Sequence, residues 1–194
     1  MMFNTYKHYT YIAADWEHDK EVVDKLYEWN KSTLSPVNFA NAHEITQARD
    51  KSLKCSIKES LRKRLIQSHK FILIVGKHTK FLTAGGCQFC DSYNSYTQYC
   101  ARGYSRDNRS FIKYECDKAM EMMLDILVLY NSSQVDHSLC PDGILTYRDA
   151  RHVPFYRFRT PLYFGSTSGL GVLGTLVSKQ KVYNQQEIIN FLAR

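Results

Sequence analysis

Two uninterrupted apolar runs, KFILIVG at 70–76 and DILVLY at 125–130, constrain this chain more than any other feature. A strand with one solvated face alternates apolar and polar residues. A strand without that alternation is covered on both faces, as in a parallel sheet sandwiched between helices.

The intervening segments carry the period such a sheet requires. Residues 9–14 (YTYIAA) predict a first strand, and 19–30 predict an amphipathic helix through Val22, Val23, Leu26, Tyr27 and Trp29. Residues 37–42 (VNFANA), after Ser35 and Pro36, predict a second strand. Residues 56–68 set Ile57, Leu61 and Leu65 four apart, with Ser56 and Glu59 as a capping box at the helix start. Residues 109–123 predict a third helix with Ile112, Cys116, Ala119 and Met123 as its buried stripe. HVPFYRF at 152–158 predicts a fifth strand, and 184–193 a terminal helix with Ile188, Ile189 and Leu192 inward. The expected fold is α/β: an open, flavodoxin-like parallel sheet of about five strands with helices on both faces. It occupies residues 1–160, with 161–194 as a C-terminal extension packed on the same domain.

Ligands of such sheets sit beyond the carboxyl ends of the strands. That predicts a cleft at 14–19, around 41–44 and in the loop 77–108, which is too long for a plain connector.

Composition narrows the partners. The net charge of +7 favours anions in general. The densest basic cluster, Lys58, Arg62, Lys63 and Arg64, alternates with apolar residues at helical period and reads as a solvated helix face. With no zinc-finger or RNA-binding signature, no nucleic-acid partner is expected. The first twenty residues lack the basic start and apolar core of a signal peptide, so a cytoplasmic location is expected. Residues 160–177 carry no charge but are rich in Gly, Ser and Thr, and read as a buried or loop-rich segment; no membrane partner is expected.

Several motifs fail on context. GLGVLG at 169–174 has the glycine spacing of a dinucleotide fingerprint, yet no clear strand precedes it and too little chain follows to complete a βαβ unit. The seven histidines are scattered, with no H-E-x-x-H and no nucleophile partner, so a hydrolytic triad is unsupported. Cys87, Cys90 and Cys100 form a C-x-x-C plus one within the long loop. Three thiolates and a fourth ligand would make a structural zinc site; the alternative is a set of reduced, partly buried thiols. No fourth ligand is evident, and Cys55 and Cys140 read as isolated thiols.

Glu115 is the anomaly of the third helix. Counting by turns, Phe111, Glu115, Lys118 and Met122 share a face adjoining the apolar stripe, so a carboxylate projects from the start of the helix toward the cleft.

Three stretches, YIAADWEHD, SIKESLRKRLIQSHKFILIVG and RSFIKYECDKAMEMMLDILVLYN, together resemble the TIR and TIR-like family, particularly the bacterial TIR proteins of Thoeris anti-phage defence. The likeness covers about residues 6–131. Its most specific part is an aromatic four residues before a Glu at the start of the helix after the long loop. The resemblance implies that Glu115 is the catalytic carboxylate of an NAD-cleaving site and that Phe111 packs against the nucleotide. It further implies that Ala14, Asp15 and Trp16 line the ribose or nicotinamide pocket, with Asp19 at the acidic helix start and Asp107 eight residues before the catalytic Glu. Phe111 stands where many relatives have Trp, and the cysteine-bearing loop is an elaboration many lack.

The implied chemistry needs one carboxylate. Nicotinamide leaves NAD+ as a neutral base, and the difficulty is the positive charge that builds on the ribose. NAD+ is then the substrate rather than a resident cofactor, and the product is hydrolysed, cyclised or conjugated ADP-ribose. The resemblance also implies a downstream effector reached through that diffusible product, a phage-derived activator and conditional homo-oligomerisation. The competing expectation is a catalytically silent TIR-like interaction adaptor.

Overall fold

The computed structural model describes residues 9–31, 37–41, 53–100, 103, 105–158 and 181–193. The apolar runs become the centre of a five-stranded sheet. Strand β1 (Tyr9–Ala13) leads to helix α1 (Lys20–Lys31), β2 (Asn38–Asn41), α2 (Lys54–Ile66) and β3 (Ser68–Val75). A small antiparallel pair, β4 (Tyr93–Asn94) and β5 (Tyr99–Cys100), lies inside the long loop before α3 (Phe111–Glu121). Then come β6 (Asp125–Tyr130), β7 (Arg151–Pro154), the antiparallel pair β8 (Tyr156–Phe158) and β9 (Lys181–Tyr183), and α4 (Gln185–Ala193). The sheet order is β2-β1-β3-β6-β7 and every pairing in it is parallel. That is the doubly wound, flavodoxin-like order.

Period-two alternation divides the core. Tyr11, Ala13, Phe71, Leu73, Val75, Ile126, Val128 and Tyr130 face α2 and α3, meeting Ile57, Leu61, Leu65, Ile112, Cys116 and Ala119. Ile12, Ile72, Ile74, Leu127, Leu129 and Val153 face α1 and α4, meeting Val22, Val23, Leu26, Trp29, Ile188 and Phe191. Both faces of β3 and β6 are thereby covered, which is why their sequences show no polar alternation.

Four expectations are corrected. Ser56 does not cap α2: the helix starts at Lys54 with Leu53 at the cap position, and Ser56 lies inside the first turn, its carbonyl accepting from Ser60 Oγ at 3.1 Å. HVPFYRF is not one strand. Pro154, which has no N–H to donate, ends edge strand β7, and past Phe155 the chain turns to pair with β9. Met123 is not on the buried stripe of α3. The helix stops at Glu121, and Met123 takes a left-handed φ of 52° that turns its side chain to solvent, 83% exposed. Lys58, finally, is not on a solvated face: it is 4% exposed, and its ammonium donates to the carbonyls of Asp107 and Arg109 at 3.0 and 2.7 Å.

The expected division at 160/161, the uncharged stretch 160–177 and the glycine motif at 169–174 lie outside the described residues. Among the described residues, no helix is long and apolar enough to cross a membrane.

Candidate active site

Helix α3 begins where Ser110 Oγ accepts the Lys113 N–H at 3.2 Å. Just before it, Lys58 forms an ion pair with Asp107 at 3.2 Å, Arg109 grips Asp107 through Nη2 at 2.8 Å and Asp117 through Nη1 at 2.9 Å, and Lys113 closes on Asp117 at 3.0 Å. Burial opposes the charge of Asp107, but its bonds to Arg109 and Lys58 outweigh that and hold its carboxyl at about 2. Both Asp107 oxygens are engaged in this brace between α2 and the entry to α3.

The brace fixes the phase of α3, and with it Glu115. Glu115 turns onto the sheet rather than out along the loops: it is 3% exposed, and Tyr11 Oη donates to its Oε1 at 2.5 Å. Tyr11 lies in mid-strand on β1, stacked on Phe71 of β3 with ring centroids 5.7 Å apart. Burial among Ile112, Cys116 and the sheet pushes the Glu115 carboxyl up to about 8, against the opposing pull of the Tyr11 hydroxyl. Tyr11 is itself pushed upward, by burial first and then by the neighbouring carboxylate.

Phe111, one turn before Glu115, is partly buried against the same core. Its N–H donates to Ala84 O at 2.7 Å, and its ring lies against Gly85, where a Cβ would sit 2.7 Å from ring atoms. Gly85 also has a φ of +105°, so a side chain there is excluded twice over.

A second polar group occupies the carboxyl ends of the strands. Asp15 accepts from or pairs with His18 Nδ1 at 2.8 Å, and the His18 ring lies 4.3 Å from that of His78. Asp19 is buried at the start of α1, its Oδ1 accepting from Asn131 Nδ2 at 2.8 Å; burial raises its carboxyl, and the Asn131 bond acts against that rise. The carboxylate lies flat on Gly76, where any Cβ would overlap it, which explains the glycine that closes KFILIVG. Ala14 and Trp16 pack toward the α1 face. The structure thus gathers Asp15 and Asp19 at the β1–β3 switch point, and Tyr11, Phe111 and Glu115 on the α2–α3 side. Among the described residues no hydrogen bond links these groups.

Sequence reasoning missed Tyr11, His78 and Asn131. Tyr11 left a trace: a tyrosine at an inward position of a buried strand needs a partner for its hydroxyl. Asn131 left one too, as the first polar residue after DILVLY.

A β1–α1–β2–α2–β3 unit in this strand order, with acids at the first strand's end, bears directly on family. Residues 3–83 match the family described as Thoeris protein ThsB, TIR-like domain. The match bears out the resemblance seen in the sequence over its first part, from the first strand through β3. It spans less than half of the 194 residues and ends before α3. Glu115 therefore stands on the geometry of the TIR-like fold alone. No curated protein matches the chain.

Proposed function

We propose that the protein cleaves the nicotinamide–ribose bond of NAD+, with Glu115 as the carboxylate that offsets positive charge on the ribosyl group. The observation that carries this reading is the Tyr11–Glu115 pair, a buried carboxyl one helical turn after Phe111 and pushed up to about 8. Such an acid is neutral while nothing cationic lies beside it. A pyridinium nucleotide, and still more a ribosyl cation, favours the ionised form where little water screens the attraction. The site is thus cheapest to charge when the bond is breaking. Phe111 supplies a ring face for the base, while Asp15 and Asp19 supply acceptors for ribose hydroxyls. Water as acceptor gives ADP-ribose, and an atom of the same nucleotide gives a cyclic isomer.

The test is mass spectrometry of small molecules from cells expressing the parent protein or Glu115→Gln, with and without phage challenge. Nicotinamide and an ADP-ribose product in the parent, absent from the variant at equal protein level, support the proposal. NAD+ intact in both under infection overturns it in favour of an interaction module. Equal product from both removes Glu115 from the chemistry.

A further inference from the structure

Four of the six cysteines, brought from three separate elements, line one small cavity. Cys55 comes from the first turn of α2, Cys87 and Cys90 from a 3-10 turn and the residue after it, and Cys100 from β5. Lys54 and Tyr93 complete much of the wall. The cavity holds about 10 Å³, room for a single small body. Cys55 is therefore not the isolated thiol its sequence position suggested.

The segment around the cavity has little else to hold it. Among the described residues of 82–108, Cys87 is the one buried side chain, while Phe89, Tyr96 and Tyr99 stand largely in solvent. Two-residue strands without a core are marginal by themselves. Yet this segment delivers the chain to Asp107, Arg109 and the start of α3. One further contact suits a thiolate: the Asp107 N–H donates to Cys87 Sγ at 3.3 Å, as backbone amides do around metal-bound sulfur.

We propose that Cys55, Cys87, Cys90 and Cys100 bind one zinc ion as a structural four-thiolate site that fastens the 87–100 loop to α2. Cys87 and Cys90 have the C-x-x-C spacing of a zinc knuckle, and Cys100 and Cys55 supply the second pair from β5 and α2. Among the described residues no group of three or more His, Cys, Asp or Glu already stands close enough to hold a metal. Binding therefore draws the sulfurs inward, releases their four protons and leaves a doubly negative centre beside Lys54. The site is independent of NAD+ chemistry and acts on it only through the entry to α3.

The experiment is metal analysis of the full chain purified without chelator, together with cobalt substitution of the same protein. The expected result is one zinc per chain, and on exchange the intense visible bands of tetrahedral cobalt thiolate. Cys55→Ser and Cys100→Ser are each expected to lose most of the zinc, while Cys140→Ser, outside the cavity, keeps it. Should the serine variants fail to fold, the cobalt spectrum of the unsubstituted chain still decides. Zinc-free protein with freely titrating thiols, a disulfide among these four cysteines in place of metal, or full zinc retention in Cys55→Ser each overturns the proposal.

Discussion

Tyr11 and Glu115 are 104 residues apart in sequence, and the phenol of one donates to the carboxyl of the other at 2.5 Å inside the core. The bond favours the ionised acid, because a donor stabilises a carboxylate more than a carboxylic acid. Removing it in Tyr11→Phe is expected to raise the Glu115 midpoint further. A hydrogen bond to a charged group contributes about 1.5–3 kcal/mol, or about one to two pKa units. The pH profile of nicotinamide release should move to higher pH by up to that amount, with activity at neutral pH reduced accordingly. An unmoved profile would mean that the bond has no part in setting the acid.

The same acid sets a slope in stability. The unfolded chain ionises Glu115 near its ordinary 4.5, whereas the folded chain holds the proton to about 8. Folding therefore retains a proton between those values, and this contribution falls as pH rises, by about 1.4 kcal/mol per unit. It is complete below the unfolded value and gone above the folded one. Glu115→Gln lacks the titration but can still accept from Tyr11. Denaturant unfolding at pH 5 and pH 9 is expected to show the variant gaining a few kcal/mol relative to the parent at the higher pH. Equal pH dependence in the two proteins would show that Glu115 ionises freely in the folded state.

The architecture was legible because hydrophobic burial is written locally. KFILIVG and DILVLY announced strands covered on both faces, and Val22, Val23 and Leu26, or Ile57, Leu61 and Leu65, announced the helix sides that cover them. What escaped depends on residues distant in sequence. Lys58 looked like one more cation on a charged helix because its partners, two backbone carbonyls and the Asp107 carboxylate, lie about fifty residues away in sequence. Cys55 looked solitary for the same reason, the loop cysteines returning to it only through the fold. Glu115 was visible as an anomaly beside an apolar stripe, but its depth depends on the approach of β1, which helical period cannot reveal.

Lys58 supports a prediction separate from any chemistry. Its ammonium satisfies the carbonyls of Asp107 and Arg109 and pairs with the Asp107 carboxylate, although burial pulls the lysine below its ordinary pKa. Lys58→Ala leaves those groups without this partner and opens a gap between α2 and the entry to α3. The expected cost is about 3 kcal/mol in chemical unfolding. Amide exchange should quicken first at 107–111, where the brace is lost, before it quickens in β3. Lys58→Met, which refills the space, should recover part of the stability but not the protection at 107–111.

Met123 closes α3 in a conformation that suits glycine. Its N–H bonds to Met120 O and the Leu124 N–H to Ala119 O, each at 3.0 Å, the paired bonds that end a helix through one left-handed residue. Leu124 then tucks into the core while Met123, at φ 52°, stands in solvent. A side chain in that region costs about 1–2 kcal/mol, and glycine avoids this at the expense of about 0.5–1 kcal/mol of backbone entropy. Since Met123 makes little contact to lose, Met123→Gly is expected to stabilise the fold by about 0.5–1 kcal/mol, measured as a rise in the denaturant midpoint at unchanged slope. Met123→Val should do the reverse, because a β-branched residue tolerates positive φ poorly. If both variants unfold at the parental midpoint, the left-handed turn does not bear on stability in solution.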